Sequence, residues 1–246
     1  MILSLQGCMA VGKTTAARYL QAHDPQLHVC FEDNAAVIAE VKHRGLDKNY
    51  YADYLEIQRL FLQNEVRRWQ EAQKYPCTVM DFGAEEIVFY TLHYPKSKGL
   101  DWGVEELRRA LAPELAAAQG CMPEHILFLD ASDETLRTRK EGDTARTRGF
   151  FEHYRNQLLP LKREWFRNRE DTTFLADRRP DGRAGRGGGP PLVHTMDRDE
   201  PLSGKRPPSP RGAVTAGDWG SLYKQKAPSP CHRGRRFADC DYFELG

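Results

Sequence analysis

Little in this chain points to thiolate-metal, secretory or membrane chemistry. Its six cysteines, at 8, 30, 77, 121, 231 and 240, are scattered and form no Cys-x-x-Cys pair, which argues against a metal site. No apolar run approaches the length of about 18 residues that a membrane helix needs. Met1-Ile2-Leu3 offers no basic lead-in of a secretory signal. A reducing, cytoplasmic setting follows as the default, with Cys30 and Cys77, set in apolar runs, read as buried thiols. Charge of one sign is lacking too: Lys+Arg is 36 and Asp+Glu 35, a net of +1. Nothing global therefore calls for a nucleic acid or a membrane as partner.

That near-zero average conceals a break. Residues 1–176 carry 23 basic and 26 acidic side chains, whereas residues 177–246 carry 13 and 9. Gly plus Pro makes up 15 of the first 176 residues but 20 of the last 70. The second share falls in the range of about 25–30% that marks non-periodic, disordered sequence. The expected organisation is one folded domain over residues 1–175 and a Gly/Pro/Arg-rich, disordered tail over residues 176–246.

What is present is concentrated at the start. Residues 1–5 form an apolar run that reads as a buried strand. It breaks into Gly7-Cys8-Met9-Ala10-Val11-Gly12-Lys13-Thr14-Thr15, and a helical stretch follows over residues 15–22. Strand, Gly-x-x-x-x-Gly-Lys-Thr and helix together make the context of a phosphate loop. Gly7 and Gly12 permit tight turns and close approach of the backbone. Successive N–H groups then form an anion nest, reinforced by the positive end of the helix. Lys13 brings a cation to the β- and γ-phosphates of ATP, and the Thr14 hydroxyl completes the shell of a magnesium ion.

Residues 27–31 read as a second strand, tipped by Glu32 and Asp33 at the rim where α/β folds bind ligands. Glu32 is the candidate base, and Asp33 or Asn34 a helix cap. Residues 50–75 carry the longest helical pattern, with an apolar stripe at Tyr54, Ile57, Leu60, Phe61, Val66 and Trp69. Gln58, Gln63, Asn64 and Arg67 read mostly as a solvated face. A Gln58 turned inward could instead read a nucleobase edge. Residues 76–81 form a strand ending in Asp81, placed to hold magnesium opposite the loop, or else to cap the next helix. Residues 94–103 read as a loop, 104–118 as a helix and 125–130 as a fourth strand. Arg137, Arg139, Arg146 and Arg148 then cluster across a helix break, as a lid over a triphosphate requires. The amphipathic stretch 150–169 places Phe151, Tyr154, Leu158, Leu161 and Trp165 at helical steps. Residues 172–175 form a short fifth strand.

This order, anchored by the Gly7–Thr14 motif, resembles the deoxynucleoside-kinase and nucleoside-monophosphate-kinase branch of the P-loop kinases, within the AAA-type P-loop NTPase superfamily. The resemblance covers about residues 1–175. It implies a three-layer α/β fold: a five-stranded parallel sheet with the second strand at its edge, helices on both faces and an arginine lid. It implies that Lys13 and Thr14 hold phosphate and magnesium, that Glu32 accepts the proton of an attacking hydroxyl, and that Gln58 matches a base-reading glutamine. ATP and Mg2+ are the implied cofactors, and a nucleoside or nucleotide the implied acceptor. A homodimer is admitted. One departure stands out: those families follow the acid of the third strand with arginine, and here Asp81 is followed by Phe82-Gly83. That feature supports the alternative of a nucleotide-binding switch or ATPase without transfer.

Such kinases continue after the fifth strand with a helix and an adenine-packing loop, and none is readable here. The tail is either a basic, disordered arm or GC-rich DNA read out of frame. Its excess of Arg, Gly, Pro and Ala favours the second.

Overall fold

A computed structural model of the chain describes residues 1–142 and 150–176. Arg146, Arg148 and the expected tail beyond residue 176 lie outside the described residues. Five strands form one sheet: β1 (Ile2–Gly7), β2 (His28–Cys30), β3 (Thr78–Asp81), β4 (His125–Asp130) and β5 (Thr172–Ala176). All pairings are parallel, in the order β2-β3-β1-β4-β5, with β2 at an edge as the resemblance implies. The sequence crosses over between neighbouring strands through helices, which is what parallel pairing demands.

The side-chain alternation of the strands separates two apolar layers. Leu5, Val29 and Val79 face one way and pack with Ala17 of helix α1 (Lys13–His23). Met80, Ile126 and Phe128 face the other and join the larger core. That core is built on α3 (Tyr51–Ala72), α4 (Ala84–Ser97) and a long C-terminal helix, with α2 (Ala35–His43) packed beside α3.

Two element boundaries differ from the sequence reading, both because of proline. Helix α4 continues through Pro95 to Ser97, where a loop from residue 94 was expected. Pro95 has no N–H to give the Thr91 carbonyl. The buried Tyr54 hydroxyl donates to that carbonyl instead, at 2.9 Å, so the turn survives. The expected helix over 104–118 is two, α5 (Val104–Ala110) and α6 (Ala112–Gln119), with Pro113 in the first turn of the second. Arg59 donates to the Ala110 carbonyl at 3.3 Å at the break.

After α7 (Asp133–Gly142), the chain returns through α8 (Phe151–His153), a π-helical segment (Tyr154–Leu158) and α9 (Leu159–Arg167). Leu159 N–H donates to the Tyr154 carbonyl, five residues back. This wide turn shifts the buried stripe by one residue. Leu158 is followed inward by Lys162 and Phe166, not by Leu161 and Trp165, which are half-buried.

Candidate active site

The nine residues from Gly7 to Thr15 leave β1 and enter α1 as one tight loop. Gly7 has φ +136° and Gly12 φ +106°, both favourable only for glycine. At Gly7 space also decides, because a Cβ there would lie 2.3 Å from the Leu129 carbonyl oxygen. At Gly12 only the backbone angle does, since nothing lies within 4 Å of a Cβ there. Helix α1 starts at Lys13, so its unpaired N–H groups and positive end point at the loop.

Four side chains meet at this loop. The Thr14 hydroxyl donates to Asp81 Oδ2 at 2.7 Å, joining the start of α1 to the end of β3. Lys13 Nζ folds back on the loop, donating to the carbonyls of Cys8 at 3.2 Å and Gly7 at 3.5 Å. Arg139 on α7 donates to the Val11 carbonyl at 2.7 Å. Asp81 does not cap α4: Gly83 occupies the N-cap, and its N–H is taken by Glu85 at 3.0 Å.

These groups line a cleft of about 990 Å³. Loop residues Met9 to Thr15 form one wall, and Glu32, Asp81, Phe82 and Glu86 another. Glu32 accepts from the Asn34 amide at 2.7 Å. Asn34 holds the N-cap of α2 but makes no side-chain cap bond. Its own oxygen accepts from Asn64 on α3 at 3.1 Å, so the chain of amides fixes Glu32 at the rim. Asn64 thus lies inside the fold, not on a solvated face. Phe82 has φ +48°, an uncommon angle for a residue other than glycine, directly after the magnesium candidate.

Other candidates lie elsewhere. Gln58 is buried between α3 and α4, where its carbonyl accepts from Thr91 at 2.8 Å; it is not among the cleft-lining residues. Arg137 turns to the exposed Glu152, 3.4 Å away. Cys30 and Cys77, expected to be buried, are half-buried. Cys8 is the buried thiol of the loop, and burial pushes its pKa up to about 11 against the pull of Lys13. A raised pKa leaves little thiolate to react. Iodoacetamide at pH 8 should therefore label Cys77 well before Cys8, read by peptide mass spectrometry. Equal labelling would contradict this burial.

Sequence reasoning missed the groups beneath the cleft. Lys162 of α9 donates to the Gly7 carbonyl and the Tyr154 hydroxyl, each at 3.0 Å, and pairs with Glu86. Asp130, at the end of β4, accepts two bonds from Arg163, at 3.0 and 2.7 Å. Arg68 of α3 pairs with Glu65 and donates to carbonyls at the ends of β2 and β3.

The AAA domain family model matches residues 3–177. The chain belongs to the AAA domain family. No protein of curated function matches it. Among solved structures, deoxyadenosine kinase from M. mycoides with bound dATP is similar with a TM-score of 0.53 at 14% identity, covering 72% of this chain and 90% of that one. Thymidylate kinase from Candida albicans is similar with a TM-score of 0.50 at 17% identity, over 71% of this chain and 82% of that one. At these identities the likeness is one of fold: this AAA domain has the P-loop kinase architecture. Among its described residues, no helix is long and apolar enough to cross a membrane.

Proposed function

We propose that the chain is an ATP- and Mg2+-dependent kinase that transfers a phosphoryl group to a small molecule, a nucleoside or nucleotide. The observation that carries this reading is the Thr14–Asp81 hydrogen bond, 2.7 Å long, beside Lys13. A hydroxyl and a carboxylate side by side are the oxygen donors that magnesium takes with a nucleotide's phosphates. Thr14 and Asp81 would hold that ion, which supplies charge neutralisation at the phosphates. Residues 7–15 cradle the triphosphate, and Lys13 leaves the loop carbonyls for its β- and γ-oxygens.

Glu32 takes the proton of the acceptor hydroxyl as its oxygen bonds to the γ-phosphorus. The bond from that phosphorus to the β-phosphate oxygen breaks, and ADP leaves. Arg139, already at the loop, stabilises the moving charge, with Arg137, Arg146 and Arg148 as the remaining lid arginines. Gln58, buried on Thr91 away from the cleft lining, is given no part in reading the acceptor.

Charge favours an acceptor without a phosphate of its own. Glu32, Asp81 and Glu86 line the acceptor side of the cleft, and Phe82 stands where arginine was expected. Among the described lining residues the cations are Lys13 and Arg139, both bonded to the loop. A nucleoside thus fits better than a nucleotide. The same Phe82 is what favours the second reading, a nucleotide switch or ATPase without transfer.

The experiment is ADP formation across a panel of nucleosides, nucleotides and sugars. Turnover that depends on one acceptor supports the kinase. Hydrolysis indifferent to every acceptor selects the switch. In the kinase, Glu32→Gln should lower kcat by about 100- to 10,000-fold while calorimetry finds ATP affinity unchanged. An active Glu32→Gln enzyme would remove Glu32 as the base.

A further inference from the structure

We infer that Lys162 is a positioning residue for the phosphate loop: it holds the Gly7 carbonyl so that Lys13 can leave it for a nucleotide's phosphates. The inference rests on the phosphate-binding reading of residues 7–15 and concerns a group outside that motif.

The Gly7 carbonyl has two ammonium groups on it. Lys13 Nζ lies 3.5 Å away and Lys162 Nζ 3.0 Å away. Lys13 is the mobile one by position, since it stands at the half-buried mouth of the loop. Lys162 is not: it is 1% exposed. An ammonium group has three donors; two of them are hydrogen-bonded, and the charge is held by an ion pair. One donor goes to Gly7 and one to the Tyr154 hydroxyl, each at 3.0 Å, and the Glu86 carboxylate pairs with the ammonium charge. When Lys13 swings to a phosphate, a carbonyl left without a donor would carry a desolvation cost. Lys162 remains on Gly7 and removes that cost. Glu86 balances its charge, so its contribution to the loop is a fixed donor, not an added positive field.

The helix is shaped for this contact. Tyr154 and Lys162 are eight residues apart, which in a regular α-helix leaves them about 80° out of line. The π-helical turn over Tyr154–Leu158 takes up most of that angle and brings both side chains to the Gly7 side. Wide turns of this kind are frequent at functional sites. The helix follows directly on the segment that carries Arg146 and Arg148.

The test must avoid stranding Glu86 as a lone buried charge, so both partners are changed together. Lys162→Met with Glu86→Leu removes donor and acid at once. Lys162→Gln with Glu86→Gln removes the charges but keeps an N–H that can reach Gly7. Calorimetric titration with Mg·ATP should show the Met/Leu protein binding roughly 10- to 100-fold more weakly than wild type. The Gln/Gln protein should recover most of that loss. Wild-type affinity in the Met/Leu protein, or equal weakness in both, overturns the inference. A readout needing no folded variant comes from 15N-lysine spectra of the wild-type protein. The Lys162 ammonium signal should persist nearly unshifted as ATP is added, while that of Lys13 moves. A Lys162 signal that moves as far as that of Lys13 also overturns it. Lys13→Ala separates the two levels. If that variant keeps wild-type ATP affinity, the phosphate-loop reading itself is wrong; if it loses affinity while the Met/Leu protein does not, only the role of Lys162 is.

Discussion

Replacing Lys13 with alanine should weaken Mg·ATP binding by about 100-fold or more, the effect of deleting one partner of a desolvated charge pair, and turnover should vanish with it. The chain has other ways to hold phosphate, including the loop amides and the start of α1. None of them brings a full positive charge to the γ-oxygens. Arg139 is the other described cation of the cleft; it comes from α7, is bonded to the Val11 carbonyl, and serves the charge that moves in transfer rather than ground-state binding. The fold should survive the change. Lys13 is half-buried, and it donates to the loop carbonyls of Cys8 and Gly7. A melting temperature close to wild type, together with the loss of ATP binding in a calorimeter, is the expected pair of results. Unchanged ATP affinity would remove the kinase reading and the nucleotide-switch alternative together.

The contrast between Lys13 and Lys162 explains how far the amino-acid order could be read. Lys13 belongs to a motif whose parts are contiguous, so spacing alone declares it. The strand tips Glu32 and Asp81 were readable for a related reason: an apolar run that ends in an acid places that acid at the sheet's rim whatever the rest of the chain does. Lys162 meets Gly7 across 155 positions, and no local pattern encodes such a contact. The one available sign was a lysine four residues after Leu158 and four before Phe166. The wide turn at Tyr154–Leu158 hid it, because a straight helix puts Leu161 and Trp165 inward instead. Gln58 shows the converse. Its inward facing follows from its place beside Ile57 on the stripe, but which face of a nucleobase or which neighbour it meets depends on Thr91 of another helix. The loop expected from residue 94 is helix as far as Ser97, because the hydroxyl of distant Tyr54 supplies the Thr91 carbonyl with the donor that Pro95 lacks. The helix expected over 104–118 divides where Pro113 enters the first turn of α6.

Changing Arg68 to methionine should cost about 3–5 kcal/mol, the usual penalty for breaking a buried ion pair from one side. In α3 the apolar stripe was expected to pass through Leu60 and Val66. Glu65 and Arg68 are the residues fully inside, with side chains 0% and 3% exposed. Two opposite charges three residues apart on the buried side can enter only as a pair, with the guanidinium's remaining donors satisfied. Arg68 meets most of this demand: one terminal nitrogen donates to both Glu65 oxygens, at 2.8 and 2.7 Å, while the buried Nε makes no hydrogen bond. Its second terminal nitrogen reaches the carbonyls of Cys30 and Phe31 at the end of β2, at 3.2 and 3.0 Å, and of Asp81 and Phe82 at the end of β3, at 3.4 and 3.3 Å. One side chain thus ties together the two strand ends that present Glu32 and Asp81, and it steadies the strained Phe82. Lysine cannot replace that planar fork, so Arg68→Lys should recover only part of the loss. The pH dependence follows from Glu65. Burial pushes its carboxyl up and Arg68 pulls it back. Without Arg68 its folded pKa rises further. A raised carboxyl favours the folded state below its unfolded value and loses that advantage as pH climbs through the folded one. The deficit of Arg68→Met against wild type should therefore be smallest near pH 5 and grow towards pH 8 in urea-unfolding measurements. A deficit independent of pH would mean that Glu65 finds another partner, and a variant as stable as wild type would show that the two strand ends hold together without this tie.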